Sequence, residues 1–283
     1  MVPSVHRPIR KVAICAPATP LKRKYADAVS QLASDEFADI TLTFHDQCFL
    51  SEGHFAGNDK ARLAAFLECA NDPQFDAVWF AKGGYGSNRI AADFIGGAGP
   101  EARAKAYLGY SDLGFVLGSL YHAGIGVPVH APMPVDIKRD GGDAAVRRTL
   151  AWMCGDNRVL EPSLSGRPVA AFNLYTLAML VGTRFMPDLH GHDLLIEEVG
   201  EYEYAIDRLL FHVVENIKGL SGIRLGEVTS VPENDRPFGT SPEEIVRYWC
   251  DRYNIEYLGR AAIGHTPANR IVPFGLEGLN ARA

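Results

Sequence analysis

Hydrolysis of an amide by a side chain needs a nucleophile, a base to take its proton and a group to orient that base. Ser111 stands in Leu108-Gly109-Tyr110-Ser111-Asp112-Leu113-Gly114, between a run that reads as a strand and a stretch, Leu113 to His122, that reads as a helix. A strand, tight turn and helix in that order lift a hydroxyl above a sheet and aim it at a helix amino end, where free N–H groups and the helix dipole stabilise an oxyanion. The same position suits a simple helix cap by Ser111 or Asp112, and Leu113 stands where the hydrolase G-x-S-x-G would have glycine. Of nine histidines, His265 is the best placed, because Gly264-His265-Thr266-Pro267 follows an apolar run that ends at Ile263. For the orienting acid, Leu194-Leu195-Ile196 runs into Glu197-Glu198; adjacent strand residues point to opposite faces, so only one of the two carboxylates can serve the site.

Other clusters are weaker. The loop Gly83-Gly84-Tyr85-Gly86-Ser87 offers backbone donors to an anion but lacks the spacing of either dinucleotide or P-loop motifs. A non-catalytic nucleotide or anion binder using this loop therefore stays open as a reading from another class. His190-Gly191-His192-Asp193 is the best metal candidate, and an i, i+2 pair with no third ligand nearby reads as a polar loop, so no metal is expected. Cys15, Cys48, Cys69, Cys154 and Cys250 show no C-x-x-C spacing, which argues against a disulfide framework and for a reducing compartment. With 34 acidic and 28 basic side chains the formal charge is −6, which builds no field for nucleic acid or an anionic membrane. The basic start, Met1 through Lys11, leads into an apolar run too short for a secretory signal, and no apolar stretch reaches about 18 residues, so a cytoplasmic protein is expected.

The elements that must position these residues follow from periodicity. Strands are predicted at 12–16, 40–44, 77–81 and 106–108, with helices between them at about 21–32, 59–70 and through Phe94. This alternation predicts an α/β fold with a parallel sheet and helices on both faces, and ligands in such sheets bind beyond the carboxyl ends of the strands. The pattern weakens from about 140 to 165, which places a linker there, between a first domain over 1–150 and a second over 165–283. In the second half, short strands are predicted at 194–196, 226–229 and 260–263, with helices at 173–181, 204–217 and 242–253.

Taken in order, Val12-Ala13-Ile14-Cys15-Ala16-Pro17, Trp79-Phe80-Ala81-Lys82-Gly83-Gly84-Tyr85-Gly86, Leu108-Gly109-Tyr110-Ser111-Asp112, Leu195-Ile196-Glu197-Glu198-Val199-Gly200-Glu201 and Gly264-His265-Thr266-Pro267-Ala268-Asn269-Arg270-Ile271-Val272-Pro273-Phe274-Gly275 resemble one family across nearly the whole chain. That family is the LD-carboxypeptidases of serine peptidase group S66, which also holds the microcin C self-immunity proteins. The resemblance implies a Rossmann- or flavodoxin-like amino-terminal domain carrying Ser111 as nucleophile and a smaller β-rich carboxy-terminal domain carrying Glu197 and His265. It implies oxyanion donors at Asp112 and at Gly83 or Gly84, a murein tetrapeptide substrate cut before its terminal D-alanine, no metal or organic cofactor, and a homodimer. Arg89 or Lys82 is expected to hold the terminal carboxylate.

Two positions depart from the family pattern. Lys82 replaces an arginine before Gly-Gly-Tyr-Gly, exchanging a planar fork for a point charge, and Ala171-Phe172-Asn173-Leu174 replaces Gly-Gly-Asn-Leu, with Phe172 expected to narrow the pocket. Within the same chemistry, a self-immunity-like enzyme cleaving a peptidyl- or acyl-nucleotide toxin is the alternative, favoured by aromatic residues able to stack a base.

Overall fold

The structure, a computed structural model, describes residues 8–275. Of the basic start, the first seven residues lie outside that range, as do the last eight of the second expected domain. The strands are β1 (Lys11–Cys15), β2 (Thr41–Phe44), β3 (Ala77–Phe80), β4 (Ala106–Gly109), β5 (Val127–His130), β6 (Val169–Asn173), β7 (Asp193–Val199), β8 (Gly222–Thr229), β9 (Glu256–Arg260) and β10 (Val272–Pro273). They form two sheets, one of order β10-β5-β4-β3-β1-β2 and one of order β6-β7-β8-β9. All pairings are parallel except β10 with β5.

In the first sheet β3, β4 and β5 are buried along their whole length, as β1 is after Lys11, while the edge strand β2 alternates between exposed and half-buried positions. Central parallel strands are covered on both faces, so their sequences are continuous apolar runs instead of alternating ones. The cover comes from α1 (Arg23–Glu36), α2 (Asp59–Asn71), α3 (Ala91–Gly97), α4 (Gly114–Ala123) and α5 (Gly142–Met153). Phe66 of α2 stacks on Phe94 of α3 and meets Phe80 edge-on at 5.2 Å, which fixes these helices against the sheet. The chain order 2-1-3-4-5 reverses direction between β1 and β3, the switch point at which such sheets open a crevice. The second sheet packs with α6 (Leu174–Leu180), α7 (Glu203–Asn216) and α8 (Pro242–Tyr253).

Three strands escape the sequence pattern: β5, β6 and the two-residue β10. In β5, Pro128 has no N–H to give a ladder and so disguises the strand, although its carbonyl accepts from the Phe274 amide. In β6 the five residues that end at the helix cap Asn173 are too few to show a period. The strand expected at 260–263 ends earlier, at Arg260, but backbone pairing continues past it: the Ala261 amide donates to Leu225 and the Glu227 amide to Ile263. From there the chain leaves the second sheet and joins the first as β10. His265 lies on that crossing.

The two sheets meet through α4 and α6. Gly114 and Gly118, one turn apart on α4, present a surface without side chains to Phe172, Thr176 and Leu180; a Cβ at Gly118 would lie 2.5 Å from Leu180 Cδ2 and 3.2 Å from the Phe172 ring. Phe172 is fully buried there and packs 5.2 Å from the Phe274 ring. The expectation that it narrows a pocket is therefore corrected: its ring fills the core where the lobes join. Gly118→Val is expected to lower unfolding stability by about 1–3 kcal/mol through overpacking and to reduce activity with it; a thermal melt and activity unchanged from wild type would contradict this packing.

Candidate active site

Ser111 opens a single 3-10 turn at the carboxyl end of β4 and adopts a left-handed backbone, φ 62°. A serine rarely takes that conformation, which costs on the order of 1–3 kcal/mol and is retained where surrounding structure over-determines it. Here the turn is held by the next residue. The half-buried Asp112 carboxylate accepts from the Ser87 amide at 3.0 Å and the Gly86 amide at 3.3 Å, and its carbonyl accepts from the Ser87 hydroxyl. Burial raises the Asp112 pKa, opposed by those donors. Asp112 thus ties the glycine loop to the serine turn. In that loop Gly83 sits over the hydroxyl: a Cβ there would lie 3.3 Å from Ser111 Oγ and 3.5 Å from the Asp112 amide nitrogen. Gly84, at φ 111°, would strike Thr19, whose hydroxyl donates to the Gly83 carbonyl. Gly83 and the Asp112 amide nitrogen therefore lie beside the Ser111 hydroxyl, while Gly84 packs against Thr19.

Glu197 lies in β7 at a register shift between Ile196 and Glu198, opposite Gly226. Gly226 leaves room for it, because a Cβ there would come within 3.1 Å of Glu197 Cβ. Irregularities of this kind re-aim a side chain. Glu197 is fully buried, and its Oε2 accepts from His265 Nδ1 at 2.8 Å. On the other side His265 Nε2 is 3.0 Å from Ser111 Oγ. With Nδ1–H committed to a carboxylate, the Nε2 lone pair faces the serine O–H, the tautomer a general base needs. The sequence-predicted Ser111, Glu197 and His265 are thus brought into one hydrogen-bonded chain spanning both sheets.

His265 is fixed from behind by groups that the sequence reading missed. The Arg139 guanidinium donates to the His265 carbonyl and pairs with Asp136 at 3.1 Å. Asp136 in turn accepts from Tyr110 Oη at 2.8 Å, and the Tyr110 ring lies 4.8 Å from the imidazole. On the far side Asn269 Oδ1 accepts from the Gly264 amide and from His130 Nε2. Burial depresses the His130 pKa to about 4, so it is a neutral donor. These residues are ordinary polar types scattered over 110–139 and 264–269, and only their contacts mark them out.

Other expected residues lie apart. Arg89 forms a bidentate pair with Asp59, Nη2 to Oδ2 at 2.7 Å, and is not aimed at the serine. Lys82 projects to a neighbouring cavity beside Lys22 and Lys138. In the histidine pair, His192 bonds Tyr121 Oη and the His190 carbonyl, and Asp193 accepts from Ser165. Among the described residues no group of three or more His, Cys, Asp or Glu is placed to hold a metal ion.

Two family models cover most of the chain in order: the LD-carboxypeptidase N-terminal domain matches residues 12–131 and the C-terminal domain residues 167–278. The chain belongs to the S66 LD-carboxypeptidase family. It is 26% identical over 299 residues to the murein tetrapeptide carboxypeptidase of Pseudomonas aeruginosa, covering 96% of this chain and 94% of that protein. It is 30% identical over 235 residues to a putative carboxypeptidase of Synechocystis sp., covering 79% and 75%. In fold it matches a muramoyltetrapeptide carboxypeptidase from Oxalobacter formigenes, with TM-score 0.77, 21% identity and coverage of 94% and 92%. MccF in complex with glutamyl sulfamoyl guanosine matches at TM-score 0.75 and 16% identity, covering 94% and 91%. The family membership makes the protein a carboxypeptidase of the peptidase class, and the two-sheet architecture is the family's fold.

Glu198 faces the opposite way from Glu197. Its carboxylate accepts from the Asn173 side chain and from the Tyr175 and Val199 amides, which joins β7 to the start of α6. Burial pushes its pKa up to about 7, against those three donors. A carboxyl whose folded pKa is raised favours the folded state while protonated in it, so this contribution is present below the ordinary pKa of 4.5 and is lost as pH rises through 7. In urea unfolding, the stability of wild type relative to Glu198→Gln is expected to fall by on the order of 3 kcal/mol between pH 4.5 and 7.5. A difference that stays flat across that range would contradict the assignment.

Proposed function

We propose that the protein is a serine carboxypeptidase that hydrolyses the LD peptide bond before the terminal D-alanine of murein tetrapeptides, as in cell-wall recycling in the cytoplasm. The observation that carries this reading is the chain Ser111 Oγ, His265 Nε2 at 3.0 Å, His265 Nδ1, Glu197 Oε2 at 2.8 Å. The name of the Pseudomonas aeruginosa relative supports the substrate.

In the reaction Ser111 Oγ attacks the scissile carbonyl carbon as His265 Nε2 takes the hydroxyl proton. The oxyanion that forms is met by the Asp112 amide and by Gly83 or Gly84. As the C–N bond breaks, His265 returns the proton to the leaving amine of D-alanine. Water, deprotonated by His265, then cleaves the acyl ester and restores the serine. Glu197 stays ionised throughout, holds the imidazole tautomer and stabilises the imidazolium between steps. No part of this sequence calls on a metal or an organic cofactor.

A homodimer belongs to the same proposal. Tyr175, Met179, Tyr204, Phe211 and Tyr248 stand exposed on α6, α7 and α8, apolar surface that a partner could cover. The glycine loop gives a second reading some ground: Tyr85 is 48% exposed, with His54 and Phe55 each 6.1 Å from its ring, a surface able to stack a nucleobase. That would suit a self-immunity-like enzyme acting on a peptidyl- or acyl-nucleotide. Among the described residues the loop shows no nucleotide motif that would favour a non-catalytic binder.

Mass spectrometry of murein tripeptide-D-alanine mixed with the protein is expected to show loss of one alanine. A peptide ending in D-alanyl-D-alanine is expected to stay intact. Ser111→Ala is expected to cut the rate by about a thousandfold or more while the fold survives, and undiminished turnover in that variant would reject the proposal. Cleavage of an acyl-sulfamoyl nucleotide in preference to the tetrapeptide would favour the second reading.

A further inference from the structure

A cavity of about 440 Å³ opens at the carboxyl ends of β1 and β3, the switch point of the first sheet. Three lysines line it: Lys22 just before α1, Lys82 directly after β3, and Lys138 at the end of the turn Pro134–Lys138. Its wall is completed by apolar and aromatic surface, including Tyr25 and Phe49, and by the hydroxyl of Ser51. No carboxylate lines the cavity. Among the described residues none of the three ammonium groups is in an ion pair; Lys82 has only a long contact, 3.4 Å, to the Pro20 carbonyl. Lys82 is half-buried while Lys22 and Lys138 are exposed at the cavity's edge; burial, with repulsion from Lys138 and Lys22, pulls the Lys82 pKa down. An arrangement that disfavours its own charges without an internal counter-ion is relieved by an external anion.

We infer that this cavity is a binding site for a small ligand bearing carboxylate or phosphate oxygens, held by Lys22, Lys82 and Lys138, with its apolar part against Tyr25 and Phe49. None of Ser111, Glu197 and His265 lines the cavity, so it is a second site beside the reacting centre. The two are adjacent all the same, because Lys82 is bonded to Gly83, which sits over the Ser111 hydroxyl. Two sources supply the chemistry: a free phosphate-bearing molecule, or a carboxylate of the peptide substrate remote from the scissile bond. The second source rests on the function proposed above. The first does not.

Calorimetry with inorganic phosphate tests the site without any peptide. Saturable binding is expected for the wild-type protein, weakened about tenfold in the double variant Lys22→Gln/Lys138→Gln, since each of the two exposed charges contributes about threefold. A thermal melt checks that the variant is folded. A peptide arm then compares murein tripeptide-D-alanine with the same peptide whose remote carboxylates are amidated. If the substrate supplies the anion, phosphate competes with the acidic peptide, and the variant loses about tenfold in the ratio of kcat/KM for acidic over amidated peptide. If a free molecule supplies it, phosphate binds without competing and the ratio is unchanged. A mere loss of structure would lower both peptides together. Absence of phosphate binding with an unchanged ratio overturns the inference, whereas absence of hydrolysis of either peptide counts against the proposed function and leaves the calorimetric result standing.

Discussion

Glu197 is a fully buried acid whose one hydrogen bond among the described residues goes to a histidine from a different stretch of the fold, 68 residues away. A carboxylate removed from water is costly unless a partner meets it. Glu197 sits in the second sheet, and His265 on the segment that crosses from that sheet to the first, where Ser111 waits. The charge is therefore satisfied only when both sheets are in place and the crossing segment is threaded between them. Much of the local architecture follows from that requirement: the β7–β8 irregularity that aims the carboxylate, the bare surface of α4 that allows close approach, and the antiparallel β10 that anchors the end of the crossing.

The serine and the histidine are positioned by different means. Ser111 is held by strain balanced against anchoring, a left-handed turn locked through the Asp112 carboxylate to the glycine loop. His265 is held by neighbours on both sides, Tyr110, Asp136 and Arg139 on one and Asn269 with neutral His130 on the other. A base fixed in this way needs little reorganisation to accept a proton, which is the condition for efficient transfer. The Asp136 and Asn269 anchors come from both sides of the lobe boundary, so displacement of either lobe would disturb the imidazole twice.

The central strands β1, β3 and β4 were legible as apolar runs, whereas local chemistry offered Ser111, His265 and the Glu197–Glu198 pair only as candidates; the family resemblance over five ordered segments singled them out. Strand alternation required that one of Glu197 and Glu198 face the site, and the structure puts Glu197 there. What stayed hidden depends on distant contacts. Phe172 looked like a pocket residue until its ring met Gly118 and Phe274 in the core. Arg89 looked like a carboxylate clamp, but Asp59, thirty residues earlier, holds it in a bidentate pair. Pro128 masked β5, and no spacing could join Arg139 to the carbonyl of His265. The cationic cavity was equally invisible, since Lys22, Lys82 and Lys138 converge only through the sheet's reversal.

The claim that three groups from separate elements act as one unit is most directly tested by comparing kcat for D-alanine release from murein tripeptide-D-alanine in Ser111→Ala, His265→Ala and the double variant. A unit predicts strong non-additivity, with the double variant no slower than the worse single one. Losses that multiply, or a His265→Ala enzyme near wild-type rate, would contradict it.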